Sequence, residues 1–412
     1  MFRRLNFAVQ TKRIVQNFGA SACSGGHGPS LKAFFMKLAI PKERQDGETR
    51  VAASPDTVKK LVGLGLNVTV ETGAGAHASL SDADFQAAGA TIATGEAEAL
   101  KDADIVFKVR APSDEEIGLF KKGAMLAAIL NPYDDKARVK KYADAGINAF
   151  AMEFMPRITR AQSMDVLSSQ SNLAGYKAVI NAAAAFTRAT PMMMTAAGTI
   201  APARAFVMGV GVAGLQAIAT AKRLGCIVSA TDVRDTTKEQ VESLGGTFIM
   251  VESEESGDAA GGYAKEMSDE YKRAQAALVA EHLKKQDIVI TTALIPGRPA
   301  PELISEAMVK SMKPGSIIVD LAAERGGNCP LTEAGKTVVK HGVTIIGDLN
   351  VAGQLAVDSS ALYSKNLLNF ITPLIDAESK ALKIDWEDEI ITGTCLAKDG
   401  QVVHPAFREG GN

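Results

Sequence analysis

Short apolar runs alternate with amphipathic stretches along the N-terminal part of the chain, from residue 36 onward. Continuous apolar runs of this length, bounded by turn residues, are typical of strands that are buried on both faces of a parallel sheet. A helical stretch over residues 56–64 follows Ser54-Pro55, which supplies a capping hydroxyl and a proline suited to the first helical turn. The pattern predicts a doubly wound α/β layer. Its strands are expected at residues 37–40, 67–71, 105–109, 125–129 and 147–150.

A second α/β series follows an alanine-rich segment, which we predict to be a helix from Gly175 to about Ala189. The apolar segment 366–371 is expected to cross back, so that the tail near residues 402–404 completes the first layer. The fold class predicted is α/β, with two Rossmann-like doubly wound domains and an interdomain cleft. The predicted limits are 1–35 for an extension, 36–170 plus 356–412 for a discontinuous first domain, and 171–355 for the second. Strands of the second domain are expected at residues 205–208, 226–231, 247–251, 287–292, 317–321 and 344–346.

A G-x-G-x-x-G motif lies at the first strand of the second domain, with glycines at 209, 211 and 214. The apolar run before it, the predicted helix from Leu215 to Leu224 and the next strand give it the context of a dinucleotide-binding fingerprint. Gly209 permits the tight turn, Gly211 lets backbone approach a pyrophosphate, and Gly214 lets the helix pack closely on the strand. The helix N-terminus then offers N–H groups to the phosphates.

Asp232 ends the second strand of this unit and is placed to bond a ribose 2′-hydroxyl. A carboxylate there repels a 2′-phosphate, so the cofactor predicted is NAD(H) rather than NADP(H). Arg234, two residues on, argues for caution because a nearby arginine can accept a 2′-phosphate. The predicted cofactor-binding residues are Gly209, Gly211, Val212, Gly214, Asp232, Val233, Arg234, Gly262, Ala293 and Leu294.

A polar segment over residues 252–265 contains Gly257, Gly261 and Gly262 before Tyr263. An ordinary surface loop is one interpretation. Glycine hinges beside one aromatic residue are also what a mobile lid over a cofactor requires, and Tyr263 would then close over the nucleotide. Residues 291–294, at the end of a buried strand, are expected to line the adenosine side of the site.

Composition narrows the function further. The net charge of −2 gives no support to nucleic-acid binding. The four cysteines, at 23, 226, 329 and 395, have no metal-ligand spacing and suggest a reducing compartment. No apolar run reaches the length of a membrane span, so the protein is expected to be soluble, or peripheral to a membrane through other subunits.

The first 35 residues contain Arg3, Arg4, Lys12, Arg13 and Lys32, and no acidic residue occurs before Glu43. That composition is typical of an organelle transit peptide. An upstream extension of a bacterial chain whose folded part starts at Met36 is the other interpretation, and it is slightly favoured because a strand begins there at once.

Several segments resemble the alanine dehydrogenase and transhydrogenase superfamily. Residues 40–44 (IPKER), residues 48–52 (ETRVA) and Lys108 after a strand are similar to both branches. Longer segments resemble only the proton-translocating transhydrogenases, and the resemblance covers Met36 to the C-terminus. These longer segments are residues 155–165 (MPRITRAQSMD), 168–176 (SSQSNLAGY), 191–199 (PMMMTAAGT), 260–267 (AGGYAKEM) and 326–330 (GGNCP).

The resemblance implies a soluble NAD(H)-binding alpha subunit. In that family, hydride passes between NAD(H) on this subunit and NADP(H) on a partner component, coupled to proton movement through a membrane component. The partners implied are therefore an NADP(H)-binding subunit and a membrane proton-channel subunit, with a homodimer of this chain. A bacterial protein of this kind is expected on the cytoplasmic face of the inner membrane. The catalytic residues implied are Arg157, Gln162, Asp165, Ser168 and Tyr263.

Hydride transfer between two nicotinamides needs no nucleophile, metal or proton donor, so these residues are expected to position the rings. Arg157 and Asp165 can bond the carboxamide, Ser168 can bond ribose or carboxamide, and Gln162 can reach towards the facing nucleotide. An interdomain connector with capping residues is the structural alternative for this segment.

Two other functions stay open on the sequence. In an alanine dehydrogenase, Lys108 would hold the substrate, but residues 126–132 (LAAILNP) contain no histidine to accept the proton. Alternatively, Lys108 is a solvated lysine or a relic held by a carboxylate. A regulatory NAD-sensing module would keep the glycine fingerprint without needing residues 157–168.

Overall fold

The computed structural model describes residues 36–251, 267–295 and 297–408. The N-terminal extension and the predicted loop around Tyr263 lie outside these residues. The strands are β1 (Lys37–Ile40), β2 (Asn67–Glu71), β3 (Thr91–Ala93), β4 (Ile105–Arg110), β5 (Met125–Ile129), β6 (Asn148–Ala151), β7 (Met193–Thr195), β8 (Gly198–Ile200), β9 (Arg204–Met208), β10 (Ile227–Thr231), β11 (Thr247–Phe248), β12 (Ile288–Thr291), β13 (Ile317–Asp320), β14 (Thr337–Lys340), β15 (Val343–Ile346), β16 (Cys395–Lys398) and β17 (Gln401–Val402).

Helices connect most of these strands, and short 3₁₀ turns such as Thr159–Met164 lie between them. Across the described ranges, no helix has both the length and the apolar character needed to cross a bilayer. The α-helices are α1 (Pro55–Gly63), α2 (Asp82–Ala87), α3 (Glu96–Leu100), α4 (Asp114–Gly118), α5 (Lys136–Asp144), α6 (Val166–Ala185), α7 (Val212–Arg223), α8 (Thr237–Ser243), α9 (Asp269–Leu283), α10 (Glu306–Ser311), α11 (Ala356–Ile371) and α12 (Glu389–Thr394).

Two large sheets share one strand order. The first runs β3-β2-β1-β4-β5-β6, all parallel, and continues into antiparallel β16 and β17. The second runs β11-β10-β9-β12-β13-β15, all parallel, with antiparallel β14 at its edge. In each, the chain reverses its direction of winding between the first and fourth strands, which creates a crevice at the carboxyl edge. The predicted α/β class with two doubly wound layers is confirmed.

The C-terminal strand β16 pairs with β6 of the first sheet, although more than 200 residues of chain separate them, and β17 pairs with β16. Helix α11 also returns to this sheet, because Tyr363, Leu367 and Phe370 pack in its core. This arrangement supports the predicted discontinuous first domain, whose limits stay a prediction.

Each sheet is buried on both faces, and the alternation of side chains along the strands divides its core in two. In β4, Ile105 and Phe107 face one apolar cluster while Val106 faces the other. In β9, Val207 and Phe206 divide in the same way. Burial on both faces explains why these strands read as unbroken apolar runs.

Helix α6 differs from the prediction at both ends. The sequence pattern places it over residues 175–189, but it begins nine residues earlier and ends at Ala185. Its first turn is capped by Asp165, which accepts a hydrogen bond from Ser168 N, and the Ser169 hydroxyl is satisfied by the carbonyl of Val166 within the helix. Ser168 and Ser169 therefore have partners within the first turn of the helix. The helix stops where Phe186 takes an extended conformation with its side chain buried.

Two other segments also depart from the predicted strands. The strand expected over residues 247–251 is only two residues long, as β11. The segment after α6 forms a separate antiparallel hairpin, β7–β8, whose strand residues are exposed. An exposed three-residue strand has no apolar pattern of the kind that identified the buried ones.

A buried ion pair joins the loop after β1 to α6. Arg50 contacts Glu48 through two nitrogens at 2.7 Å and donates from its third to the Gln170 side chain on α6 at 2.8 Å. Burial opposes ionisation of Glu48, but the hydrogen bonds and charges of Arg50 and Arg110 outweigh it and hold the pKa of Glu48 at about 2. The pair therefore remains ionised and connects the first sheet to α6.

Replacing Glu48 tests how much this pair stabilises the fold. Glu48→Gln should lower the free energy of unfolding by about 3–5 kcal/mol, because it leaves a buried guanidinium without its counter-charge. The folded-state pKa of Glu48 lies below its ordinary value, so its contribution is complete above about pH 4.3 and is lost as pH falls towards 2. Urea unfolding at pH 7 and at lower pH measures both effects.

The exposed pair of Asp56 with Lys60 provides the control. Asp56→Asn should leave the urea midpoint unchanged, because solvent screens such a pair. Equal stability of the Glu48→Gln and Asp56→Asn variants would contradict the role assigned to the buried pair.

Candidate functional site

The three fingerprint glycines lie at the winding reversal of the second sheet, between β9 and β12. Gly209 has a φ of +97°, and a Cβ there would lie 2.5 Å from the Thr292 hydroxyl, which itself donates to the Gly209 carbonyl at 3.0 Å. A Cβ on Gly214 would lie 1.9 Å from the same carbonyl. At Gly211, by contrast, a Cβ would meet nothing within 4 Å. Packing therefore requires glycine at 209 and 214, whereas Gly211 leaves open space. We call the turn from Gly209 to Gly211, with the start of the following helix, the cradle.

Helix α7 begins at Val212, three residues before the predicted start at Leu215. Gly211 is its N-cap and has no side chain to bond the first-turn N–H groups. The Val212 side chain is 40% exposed, so this end of the helix faces outward. An uncapped helix N-terminus with its dipole directed outward is suited to a phosphate group.

Asp232 follows β10 beside the cradle and is mostly buried. It accepts hydrogen bonds from Val210 N at 2.7 Å and from the backbone and side-chain nitrogens of Arg234 at 2.7–3.0 Å. Both carboxylate oxygens therefore have partners, and Val233 lies partly buried between the two charged residues. A ribose hydroxyl at Asp232 must replace contacts with the Arg234 side chain.

Ala293 and Leu294 follow β12, at the edge where the sequence places them. Asn328 holds this loop: its side chain accepts from Ala293 N at 3.1 Å and donates to the carbonyls of Ala293 and Pro301 at 2.9 and 2.8 Å. Leu294 and Ile295 are nearly half exposed. Their apolar side chains are accessible to the flat faces of a nucleotide bound at this edge.

Asp320, at the end of β13, organises the loop that contains Asn328. It is buried and accepts hydrogen bonds from the N–H groups of Asn328 and Cys329 and from the hydroxyls of Thr332 and Thr291. We identified neither Asp320 nor Asn328 as a site residue from the sequence. An acidic residue ending a buried strand was the available signal, of the same kind as Asp232.

The polar segment 157–168, in which the resemblance places four of the catalytic residues, has two conformations. Arg157 and Gln162 are exposed, and Gln162 lies in the 3₁₀ turn Thr159–Met164. Asp165 is extended and caps α6, and its two oxygens accept from the backbone and hydroxyl of Ser168 at 2.9 and 2.6 Å. Gln162, Asp165 and Ser168 recur every three positions in the sequence, but they span this break and do not share one helical face. Asp165 does act as a cap, yet each of its oxygens retains acceptor capacity.

The remaining predicted site residues, Gly262 and Tyr263, lie outside the described residues, together with the rest of the predicted loop 252–265. Their role as a lid stays a prediction.

The equivalent crevice of the first sheet keeps an open pocket, and Lys108 and its carboxylate partners are among the residues that line it. Lys108 is buried and contacts Glu116 at 2.6 Å and Glu43 at 3.6 Å. Glu43 also accepts a hydrogen bond from Val109 N at 2.6 Å. Of the interpretations left open on the sequence, Lys108 is therefore the lysine held by carboxylates, and it is not a solvated lysine.

Comparison with known proteins gives consistent results for both halves of the chain. The family description "Alanine dehydrogenase/PNT, N-terminal domain" matches residues 39–174, and "Alanine dehydrogenase/PNT, C-terminal domain" matches residues 178–405. An NAD(P) transhydrogenase subunit alpha polypeptide of Rhodospirillum rubrum is 60% identical over 379 residues, which cover 90% of this chain and 99% of that protein.

Two further proteins are similar over most of the chain. The crystal structure of transhydrogenase from Sinorhizobium meliloti matches with a TM-score of 0.82 and 54% identity, covering 89% of this chain and all of that one. Alanine dehydrogenase from Halomonas elongata is 32% identical over 383 residues, covering 91% of this chain and 96% of that protein.

Removing the Asp232 carboxylate tests its predicted role in nucleotide choice. Asp232→Ala should weaken NADH binding by about 1–3 kcal/mol, the scale of a lost charge-assisted hydrogen bond. NADPH binding should weaken much less, because a repulsion is removed and Arg234 is released. Calorimetry with both nucleotides measures this difference, and an unchanged NADH affinity would exclude Asp232 as the ribose ligand.

Proposed function

Because the chain belongs to the alanine dehydrogenase/PNT family, we propose that it is the NAD(H)-binding subunit of a proton-translocating transhydrogenase. Hydride passes between NAD(H) on this chain and NADP(H) on a partner subunit. One observation supports this above the others: the Asp165–Ser168 pair caps a helix that packs directly on the fingerprint helix α7. A nucleotide held at the fingerprint therefore has polar groups for its nicotinamide end on the neighbouring helix.

The chain's own residues act by binding and orientation. The uncapped N-terminus of α7 binds the pyrophosphate, and Asp232 binds the ribose of the adenosine half. Asp165 accepts from the carboxamide amide, Ser168 bonds the ribose or the carboxamide, and Arg157 donates to the carboxamide oxygen. The nicotinamide ring of the bound cofactor supplies or accepts the hydride. These contacts hold the ring in a single orientation, which is the main requirement of such a transfer.

Gln162 lies at the exposed side of this group, where a second nucleotide can approach. Its side chain is available to reach the facing nicotinamide because the turn Thr159–Met164 places it towards solvent. The partner that brings this nucleotide is an NADP(H)-binding subunit, and a membrane subunit conducts the proton. In a bacterium, the chain then lies on the cytoplasmic face of the inner membrane.

An alanine dehydrogenase activity is less well supported by the geometry. The lysine that would hold an amino-acid substrate, Lys108, is buried between Glu43 and Glu116. The segment 126–132 has no histidine to act as acid–base. It contains Asn131, whose backbone N–H donates a hydrogen bond to Glu153. Turnover of pyruvate and ammonia with NADH by the purified chain would favour that function instead, and NADH binding without either reaction would favour a sensor.

A homodimer is the assembly we propose for this chain. The hairpin β7–β8 exposes Met192, Met193, Met194 and Ile200, with Met194 at 81%. A hairpin of two short strands is marginally stable in water by itself, and clustered exposed apolar side chains mark contact surfaces. A second copy of the chain would cover this surface.

Substitution at the hairpin tests the dimer. Met194→Asp should increase the monomer fraction in sedimentation or light-scattering measurements, because it would bury a charge in the contact. Val339→Asp is the control, since Val339 is also exposed but lies on β14 away from the hairpin. An unchanged dimer in the Met194→Asp variant would remove the hairpin from the interface.

Shortening Gln162 tests the transfer mechanism. Gln162→Asn should leave NADH binding by the isolated chain near normal but slow transfer in the reconstituted complex. The expected loss is on the order of a hundredfold, because an error of about 1 Å in alignment has that effect. NADH affinity and single-turnover transfer to an NADP⁺ analogue, with the partner added, give the two measurements.

The same chemical change at an exposed, distant position provides the control. Gln86→Asn on α2 should match the wild type in both measurements. Normal transfer by Gln162→Asn would show that residue 162 belongs to a connector and that the reaction centre lies elsewhere.

A further inference from the structure

Helix α6 is shared between the two apolar cores. Val166, in its first turn, packs in the core of the first sheet, whereas Ala178, Val179 and Ala182 pack in the core of the second. The helix therefore spans from the polar Asp165–Ser168 pair to the domain that contains the glycine fingerprint. Any change in how α6 meets the second domain is transmitted to that pair.

The contact between α6 and α7 is made at Gly175. A Cβ at this position would lie 2.1 Å from the carbonyl oxygen and 2.8 Å from the carbonyl carbon of Ala213, in the first turn of α7. Ala213 is followed by Gly214, whose own missing Cβ lets α7 rest on the Gly209 carbonyl. Two glycine contacts in series thus join α6 to the fingerprint turn through the start of α7.

From this geometry we infer that Gly175 is a positioning residue that sets the distance between the nucleotide cradle and the Asp165–Ser168 pair. This inference rests on the proposed function. Gly175 lies seven positions after Ser168 in the helix, a rise of about 10 Å. Because a helix is stiff over that length, the depth of the Gly175 contact fixes where Ser168 lies relative to the cradle.

A methyl group at residue 175 should displace α6 rather than the cradle. The atoms it meets are backbone, so they cannot rotate away, and α7 is itself held against the fingerprint turn by Gly214. Other links of α6 include side-chain hydrogen bonds, in which Arg50 donates to Gln170 and Asn181 donates to Asp348. Such bonds can adjust to a small shift, whereas the backbone contact cannot.

The test is Gly175→Ala in the full chain, with ADP-ribose and NADH as ligands. ADP-ribose reaches the cradle but carries no nicotinamide, so its affinity should stay within about twofold of the wild type. Single-turnover transfer with the NADP(H)-binding partner should fall by roughly tenfold to a hundredfold, because the displacement required is about 1 Å. Gly63→Ala is the matched control, since it adds the same methyl group at the end of helix α1, in open space.

Each outcome has a separate meaning. Slower transfer with normal ADP-ribose affinity supports the inference, while an equal loss for ADP-ribose and NADH would show that Gly175 only shapes the cradle. Normal transfer in the variant would overturn the inference as well. Absence of transfer in the wild-type complex would instead contradict the proposed function.

A second variant decides the matter if Gly175→Ala does not fold. Asn172 donates a hydrogen bond to Gln216 at 3.4 Å across the same pair of helices. Asn172→Ala removes that link but leaves the Gly175 contact in place, so transfer and ADP-ribose affinity should both stay near the wild type. Slow transfer in a stable Asn172→Ala variant would show that side-chain links, rather than the backbone contact, set the spacing, and would overturn the inference.

Discussion

The close approach of α6 to α7 is the constraint on which the site depends. Backbone meets backbone at Gly175 and Ala213, so the distance between the two helices is set by steric contact of backbone atoms rather than by adaptable side chains. The buried Glu48–Arg50 pair holds the same helix to the first sheet through Gln170. Of these two attachments, the backbone contact is the one that cannot adjust, so it sets where the polar N-terminus of α6 lies. A site that works by orientation needs this kind of support, since it has no reactive side chain to compensate for poor alignment.

Much of the fold was predictable because both sheets are parallel and covered on both faces. That environment requires unbroken apolar strands, and β1, β2 and β5 have the limits that the sequence indicated. The start of α6 was missed because Ser168 and Ser169 look irregular until their partners in space are known. The hairpin β7–β8 was missed because exposed strands leave no apolar pattern.

The candidate site was predicted in a similar, partial way. The glycines could be placed because steric limits on backbone are local, and their roles follow from φ values and missing Cβ atoms. The pairing of Asp232 with Arg234 was not foreseen, since two neighbouring charges in sequence need not face each other. The roles of Asn328 and Gly175 could not be recognised from the sequence for a different reason. Their partners, Ala293 and Ala213, lie more than 30 residues away in the chain, and only the folded structure brings them into contact.

The two sheets have the same strand order, yet their crevices have different contents. One is open around Gly211, and the other is lined in part by a buried lysine, Lys108, that is paired with Glu43 and Glu116. Substitutions of polar residues at equivalent positions of the two sheets therefore affect the protein in different ways. A change around Gly211 alters ligand affinity while the chain still folds, whereas a change in the Lys108 ion pairs leaves a buried charge unpaired and lowers the amount of folded protein. Loss-of-function variants of these two groups would accordingly separate in a cell by protein abundance rather than by enzyme assay alone.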